Sequence, residues 1–251
     1  MAAVAAVAPL LATHALRRTF GGLVAVRSVD FRLDRGEIRS IIGPNGAGKT
    51  TLLGIICGRI PPTSGRVVFN GRDITALRAY ERVALGIVYT FQIISIYKRL
   101  TVYENVALAA ERRLMRTPLD HLVAVRLPVA EQVEGALDEV GLRGTASRIA
   151  GSLPYGHQRL LEVAMALAAG PEVLALDEPT QGLAPDEIAS LCALIRRMSA
   201  TITILLVEHN MQVVLELSRR ITVMDRGAII AEGSPREIEA NPDVRRVYLG
   251  L

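Results

Sequence analysis

The sequence contains no tryptophan, and its 251 residues include only four phenylalanines and six tyrosines. Grooves that bind nucleic acids combine a dense basic patch with interleaved aromatic side chains. Here the net charge is only +4, and the arginine pairs are dispersed, at 17–18, 112–113, 196–197, 219–220 and 245–246. We interpret these pairs as solvated helix faces, with attraction to an anionic membrane surface as the weaker alternative. No nucleic-acid partner is expected.

Cysteine and long apolar runs are also scarce. Cys57 and Cys192 are the only cysteines, and we expect two buried thiols in a reducing compartment rather than a disulfide. No apolar run approaches the roughly 18 residues that a membrane-spanning helix requires. The longest, at 2–12, is interrupted by Pro9 and lacks a preceding basic segment, so it is a poor secretory signal. Residues 1–9 are predicted to form a loose N-terminal extension.

Residues 43–50 contain a complete G-x-x-x-x-G-K-[ST] motif. It lies between a predicted strand at 37–42 and a predicted helix at 49–57, the context in which this motif cradles phosphates with backbone N–H groups. Lys49 is predicted to reach the β- and γ-phosphates of a nucleotide, and the Thr50 hydroxyl to ligate Mg²⁺. A glycine-rich turn is the alternative. The predicted loop contacts with the nucleotide are Gly43, Pro44, Asn45, Gly46, Ala47, Gly48, Lys49, Thr50 and Thr51.

The order of predicted elements indicates the fold class. A strand at 67–69 runs into Asn70-Gly71, a strong hairpin signal, and further strand patterns occur at 86–90, 173–176, 203–207 and 221–224. Helical stretches separate the later strands, which is typical of a parallel sheet. Thr101 and Glu104 form a capping-box pair at the start of a helical region. Prolines and glycines are expected to break that region into pieces, at Pro118, Pro128, Gly141 and Gly144.

We therefore predict a single α/β domain at 10–251, with a mostly parallel sheet and an N-terminal antiparallel β part. The catalytic core would comprise 10–92 and 170–251. A helical subdomain at about 93–169 would be inserted between them.

Two acids follow the predicted strand at 173–176. Asp177 would meet the Mg²⁺ held by Thr50, and Glu178 could act as general base toward the attacking water. The alternative is a pair of acids capping a helix N-terminus. His209 follows the strand at 203–207 and could contact the γ-phosphate, because ligands gather at the carboxyl ends of parallel strands. A partly buried polar residue is the alternative for His209.

Together these residues resemble the nucleotide-binding subunit of ABC transporters, over roughly 10–251. That resemblance implies an ATP hydrolase with a phosphate-loop fold of the ABC type. It implies that Phe20 stacks on adenine, and that Gln92 touches Mg²⁺ and the attacking water. The segment 181–184 would cross the dimer interface. The family signature, usually Leu-Ser-Gly-Gly-Gln, would cap the ATP of the opposite subunit and corresponds to Leu153, Pro154, Tyr155, Gly156 and His157, at the start of a helix predicted at 158–169.

Several positions depart from the family pattern. Pro154 replaces a serine that usually donates to the γ-phosphate, and proline has neither a hydroxyl nor an N–H. His157 stands where glutamine is usual, Ala184 where aspartate is usual, and Met165 where arginine is common. We still expect a working ATPase, because Gly156 and the helix N-terminus retain backbone donors. A regulatory module with little hydrolysis is one alternative.

A finer resemblance is to the branched-chain amino acid importers, through the segments at 20–26, 153–156, 177–185, 207–211 and 241–250. It implies a homodimer or a heterodimer with a paralogous ATPase, integral membrane permease subunits and, indirectly, a solute-binding protein. The expected location is peripheral, on the cytoplasmic face of the inner membrane. Urea or short-chain amide transport, and a soluble ABC ATPase acting on DNA or ribosomes, are the alternatives.

Overall fold

The computed structural model describes residues 8–114 and 126–249. The predicted loose extension at 1–9 therefore lies almost wholly outside the described residues, as does the predicted break at Pro118. The chain divides into two compact units, Met1–Arg82 with Thr201–Leu251, and Val83–Ala200.

The first unit contains most of the strands and the phosphate-loop motif. Its elements are β1 Leu11–Phe20, β2 Leu23–Leu33, β3 Ile38–Ile42, α1 Lys49–Ile56, β4 Ser64–Phe69, β5 Arg72–Asp73, β8 Thr203–Val207, α7 Met211–Leu217, β9 Arg220–Asp225, β10 Ala228–Gly233, α8 Pro235–Ala240 and α9 Pro242–Leu249. Helix α2, Ala79–Ala84, contains the boundary between the units.

One sheet of this unit is antiparallel, in the order β2-β1-β4-β5. Alternate residues of β2 are buried, including Val29, Phe31 and Leu33, as expected when one face is solvated. The predicted hairpin is confirmed, because Phe69 pairs with Arg72 across a two-residue turn. Asn70 and Gly71 both have positive φ, the conformation that this turn requires.

The other strands of the unit follow the order β10-β9-β3-β8. Strand β3 is parallel to both β8 and β9, while β10 is antiparallel to β9. All five residues of β3 and of β8 are buried, as in a parallel sheet covered on both faces, and the polar residues Arg39, Ser40 and Thr203 are buried among them. Because β3 and β8 are parallel neighbours, their carboxyl ends lie side by side. The phosphate-loop motif begins at the carboxyl end of β3.

In the residues that the structure describes, the second unit combines two parallel strands with four longer helices. Its elements are β6 Ile87–Thr90, α3 Val102–Leu114, α4 Arg126–Glu139, α5 Tyr155–Ala168, β7 Val173–Asp177 and α6 Pro185–Met198. Strand β6 pairs with β7 in parallel. Helices α3, α4 and α5 pack on one another, and α3 contributes Val102, Val106 and Ala110, an apolar stripe at helical spacing. This unit, Val83–Ala200, includes more residues than the predicted helical insertion at about 93–169. The predicted boundaries of the insertion therefore stay a prediction.

Three local predictions need correction. Pro128 does not break the helical region, because it lies in the first turn of α4, where a missing backbone N–H removes no intrahelical bond. The helix predicted at 158–169 begins three residues earlier, at Tyr155, with Pro154 as its N-cap. The arginine pairs are not all on helix faces, since 17–18 lie in β1, Arg219 lies in a bend and Arg220 begins β9.

Other local predictions are confirmed. Thr101 and Glu104 form the capping box: the Glu104 carboxylate accepts from Thr101 N at 2.7 Å, and Thr101 Oγ1 accepts from Glu104 N at 3.1 Å. Gly141 has a φ of 73° just beyond the end of α4. Cys57 and Cys192 are both buried as thiols and do not form a disulfide with each other.

Candidate active site

The phosphate-loop motif connects β3 to α1 through backbone conformations that only glycine adopts easily. Gly43 has a φ of 152° and Gly48 a φ of 100°. A Cβ atom on Gly43 would overlap the carbonyl oxygen of Met224, and one on Gly48 would overlap that of Ala25. The loop therefore packs tightly on its own unit, and Gly48 leads directly into the first turn of α1.

Lys49 is buried, with 8% of its surface exposed. Its Nζ donates to the carbonyl oxygens of Gly43 at 2.8 Å and Pro44 at 3.1 Å, so the ammonium group is held against the loop. Thr50 is exposed and Thr51 half-buried in the same first turn. A cation, a hydroxyl and a helix N-terminus thus converge on one loop, which is the donor set that phosphate oxygens need.

Phe20 ends β1 and is 44% exposed. The guanidinium carbon of Arg18 lies 4.4 Å from the centroid of its ring, a cation–π arrangement. An exposed aromatic ring already stacked against a planar cation has the chemistry of a base-stacking surface.

His209 and Gly43 lie near the same edge of their sheet, because Ile41 pairs with Val207 in parallel register two residues before each of them. The His209 side chain is 60% exposed, and its Nδ1 lies 4.0 Å from the carboxylate of Glu208. Glu208 is fully buried and accepts from the backbone N–H groups of His209 at 3.0 Å and Asn210 at 3.2 Å. Sequence reasoning missed this role of Glu208.

In the second unit, Asp177 ends β7 and is completely buried. The Tyr89 hydroxyl, from β6, donates to Asp177 Oδ2 at 2.8 Å. Tyr89 pairs with Ala175, two residues before Asp177, so the parallel register places Tyr89 and Asp177 on one face. Tyr89 was not among the predicted residues. The sequence offered one sign of this role: Tyr89 carries a hydroxyl near the carboxyl end of β6, the strand that pairs with β7.

Glu178 follows β7 with a φ of 47°, which is unusual for a residue other than glycine. Such strain costs about 1–3 kcal/mol and is concentrated at functional sites. Gln92 Nε2 donates to Glu178 Oε2 at 2.8 Å, so the structure brings these two predicted residues together. Neither acid caps a helix, since α6 begins only at Pro185.

The segment 153–157 enters the first turn of α5. Leu153 and Gly156 are buried, whereas Pro154, Tyr155 and His157 are exposed. A Cβ atom on Gly156 would overlap the carboxylate of Glu187, which also accepts from the Ala184 N–H at 2.9 Å. Residues 153–157 therefore pack against the start of α6.

Within the described ranges 8–114 and 126–249, no group of three or more histidine, cysteine, aspartate or glutamate side chains could hold a metal ion by itself. The residues predicted to ligate Mg²⁺, Thr50, Gln92 and Asp177, are of other chemical types. They supply a hydroxyl, an amide oxygen and a carboxylate, the hard oxygen ligands that Mg²⁺ prefers. No helix in these ranges is long and apolar enough to cross a bilayer.

A glycine-rich loop that joins a buried strand to a helix beginning with a buried lysine is the defining feature of a phosphate-loop nucleoside triphosphatase. Residues 26–181 match the ABC transporter family, and the chain belongs to that family. Residues 228–250 match a second family, the branched-chain amino acid ATP-binding cassette transporter. The predicted family, fold class and ATPase type are confirmed.

Curated relatives extend over almost the whole chain. It is 40% identical over 250 residues to the high-affinity branched-chain amino acid transport ATP-binding protein BraF of Pseudomonas aeruginosa, covering 96% of this chain and 98% of the relative. The chain is also 40% identical over 250 residues to the high-affinity branched-chain amino acid transport ATP-binding protein LivG of Escherichia coli K12, at the same coverage of both chains. The ADP conformation of MJ1267, an ATP-binding cassette of an ABC transporter, superposes with a TM-score of 0.85 at 32% identity, covering 97% of this chain and 99% of that structure.

Proposed function

We propose that this chain is the ATP-binding and ATP-hydrolysing subunit of a membrane transporter that imports branched-chain amino acids. The similarity to transport ATP-binding proteins for these solutes, at 40% identity over 96% of the chain, carries the proposal. The match at 228–250 supports the same solute class.

Each predicted site residue receives a role in this proposal. The loop at 43–51 binds the ATP phosphates, with Lys49 against the β- and γ-phosphates, and Phe20 stacks on adenine. Thr50, Gln92 and Asp177 ligate Mg²⁺, which neutralises charge on the phosphate oxygens when bound. Tyr89 orients the Asp177 carboxylate, as their 2.8 Å hydrogen bond supports.

Glu178 takes a proton from the attacking water, and His209 contacts the γ-phosphate. The Gln92 amide at 2.8 Å from the Glu178 carboxylate supports a joint role for these two side chains. An amide that donates to the carboxylate fixes its direction, so the base needs no reorientation when water arrives.

The active assembly is a homodimer or a heterodimer with a paralogous ATPase. The segment 153–157 caps the ATP bound by the opposite subunit, and the exposed Pro154, Tyr155 and His157 support that role. Backbone N–H groups at the start of α5 bind the γ-phosphate in place of a serine hydroxyl. The segment 181–184 lies at the same interface.

Membrane permease subunits bind a surface groove of about 280 Å³ in the second unit, and a solute-binding protein acts through them. Phe91, Tyr97 and Leu108 line this groove, and all three are exposed apolar or aromatic side chains. Together with the neighbouring Ile93, which is 83% exposed, they form an apolar patch of the kind that marks a protein interface. The chain is thereby held at the cytoplasmic face of the inner membrane.

Phosphate release in the presence of the membrane partners tests this function. We expect the wild type to hydrolyse ATP and Glu178→Gln to lose nearly all turnover, because the amide cannot accept a proton. Equal and negligible rates in both would instead favour a nucleotide-dependent regulatory module, the alternative that Pro154 and Ala184 motivate.

Lys49→Ala is expected to abolish ATP binding in an equilibrium titration with a fluorescent ATP analogue. The matched control is Lys98→Ala, at an exposed lysine. Unchanged binding by Lys49→Ala would mean that the loop is misassigned. Stimulation of turnover by leucine, isoleucine or valine, compared with urea and acetamide, tests the solute class in the reconstituted transporter.

A further inference from the structure

Helix α5 buries two opposite charges, Arg159 and Glu162, which are 1% and 5% exposed. Arg159 Nη1 donates to Glu162 Oε2 at 2.7 Å. Burial raises the pKa of Glu162, while Arg159 and two backbone N–H groups act in the opposite direction. Apolar residues would fill such positions without the cost of desolvating two ions. The pair therefore needs an explanation other than core packing.

Both side chains hold the backbone of the segment 91–95, which follows β6. Arg159 donates to the carbonyl oxygens of Phe91 and Gln92, each at 2.8 Å. Glu162 Oε1 accepts from the N–H groups of Phe91 at 3.2 Å and Ser95 at 3.3 Å. We call this pair with its four backbone bonds the Arg159–Glu162 clamp.

The clamped segment is largely exposed to solvent. It is neither helix nor strand, and Phe91 and Ile93 expose 38% and 83% of their surfaces. A segment so exposed is fixed by its hydrogen bonds more than by packing. Within it, Gln92 is bonded at both ends: its carbonyl accepts from Arg159, and its side-chain amide donates to Glu178.

We propose that Arg159 and Glu162 are positioning residues for hydrolysis, which hold Gln92 so that its amide stays on the Glu178 carboxylate. They act through Gln92 and do not touch the nucleotide. This inference rests on the proposed roles of Gln92 and Glu178.

The position of the clamp in α5 connects two parts of the site. The helix begins at Tyr155, inside the segment 153–157, and Arg159 lies about one helical turn, or ~6 Å, further along. A helix transmits a shift of its first turn as a nearly rigid body. Engagement of the segment 153–157 by a partner's nucleotide therefore reaches Gln92 through Arg159.

The test uses the full chain with its membrane partners and four variants. Arg159→Met/Glu162→Met removes the clamp but keeps side chains of similar volume, a replacement that buried ion pairs often tolerate. Arg159→Lys keeps the charge and loses the planar fork that reaches two carbonyls. Glu162→Gln keeps an acceptor for Phe91 and Ser95 but turns an amide toward Arg159. The matched control is Arg143→Met, an exposed arginine that bonds Glu134 and Asp138 in the same unit.

The measurements are kcat and KM for MgATP, the melting temperature, and amide hydrogen exchange over 91–95. For the double variant we expect kcat to fall about 10- to 100-fold, the scale of a small misplacement of a reacting group. KM should change by a smaller factor than kcat, because most of the proposed contacts with MgATP come from residues 43–51 and Phe20, which the clamp does not hold. Amide hydrogen exchange at Phe91 and Ser95 should be faster in the double variant than in the wild type. Arg159→Lys should show most of the decrease in kcat that the double variant shows. Arg143→Met should match the wild type.

Two outcomes would overturn the inference: folded clamp variants with wild-type kcat, or a loss of kcat no larger than the loss of folded protein. A failure of the proposed function looks different, because wild type and Glu178→Gln would then hydrolyse ATP equally slowly. An active wild type, an inactive Glu178→Gln and fully active clamp variants would refute the positioning role alone.

Discussion

Tyr89→Phe removes one hydroxyl and leaves the ring in place. The ring keeps its edge-to-face contact with Phe91, whose centroid lies 5.1 Å away. Asp177, completely buried, loses a 2.8 Å hydrogen bond to Oδ2. A hydrogen bond to a charged group contributes about 1.5–3 kcal/mol, and an acceptor left buried without its donor bears that cost in full.

At about 2–4 °C per kcal/mol for a chain of 150–250 residues, the melting temperature should fall by roughly 3–12 °C. Scanning calorimetry of the nucleotide-free chain measures this change, with Tyr97→Phe as the control at an exposed tyrosine. The Mg²⁺ concentration for half-maximal ATPase activity should also rise, because the proposed Asp177 ligand is less well oriented. A melting temperature within 1 °C of wild type, together with an unchanged Mg²⁺ dependence, would refute the reasoning.

Two further predictions concern stability. Gly48→Ala places a side chain at a φ of 100° against the Ala25 carbonyl, so urea unfolding should show a loss of about 2 kcal/mol or more. The control is Gly144→Ala, where no atom lies within 4 Å of the added Cβ, and it should change the free energy of unfolding by less than about 0.5 kcal/mol. Equal losses of unfolding free energy in the two variants would contradict the argument. The raised pKa of Glu162 predicts a pH dependence, because the buried ionised carboxylate opposes folding. Its stabilising contribution is complete below the usual pKa of 4.5 and is lost as pH rises through the raised folded value. The unfolding free energy of wild type minus that of Glu162→Gln should therefore decrease as pH rises above 4.5, and a constant or increasing difference would contradict it.

Much of the fold could be predicted from local patterns. Three features depend only on residues close in sequence: the phosphate-loop motif, the Asn70-Gly71 turn and the capping box at Thr101. They could therefore be predicted without knowledge of the tertiary structure. The start of α5 was missed for a related reason. Pro154 occupies the N-cap with no side-chain hydrogen bond, so the usual serine, threonine or aspartate signal is absent.

The polar partners within each unit could not be predicted in this way. Arg159 and Glu162 are three residues apart on a helix, a spacing that is typical of an exposed ion pair. Only the packing of α5 against the segment 91–95 reveals that both charges are buried. Tyr89 and Glu208 likewise acquire their roles from strand register and burial, which the identity of neighbouring residues does not determine.

The tight contact between Gly156 and Glu187 has a consequence for sequence variation. The space that a larger residue at 156 would need is already occupied by the carboxylate that holds the Ala184 N–H. A substitution at either position therefore changes the selective cost of a substitution at the other. Among related chains, loss of glycine at the position of Gly156 should be accompanied by a shorter side chain at the position of Glu187. Gly156, in the segment proposed to cap a partner's ATP, and Glu187, in the first turn of α6, would then evolve together, although 30 residues lie between them in the sequence.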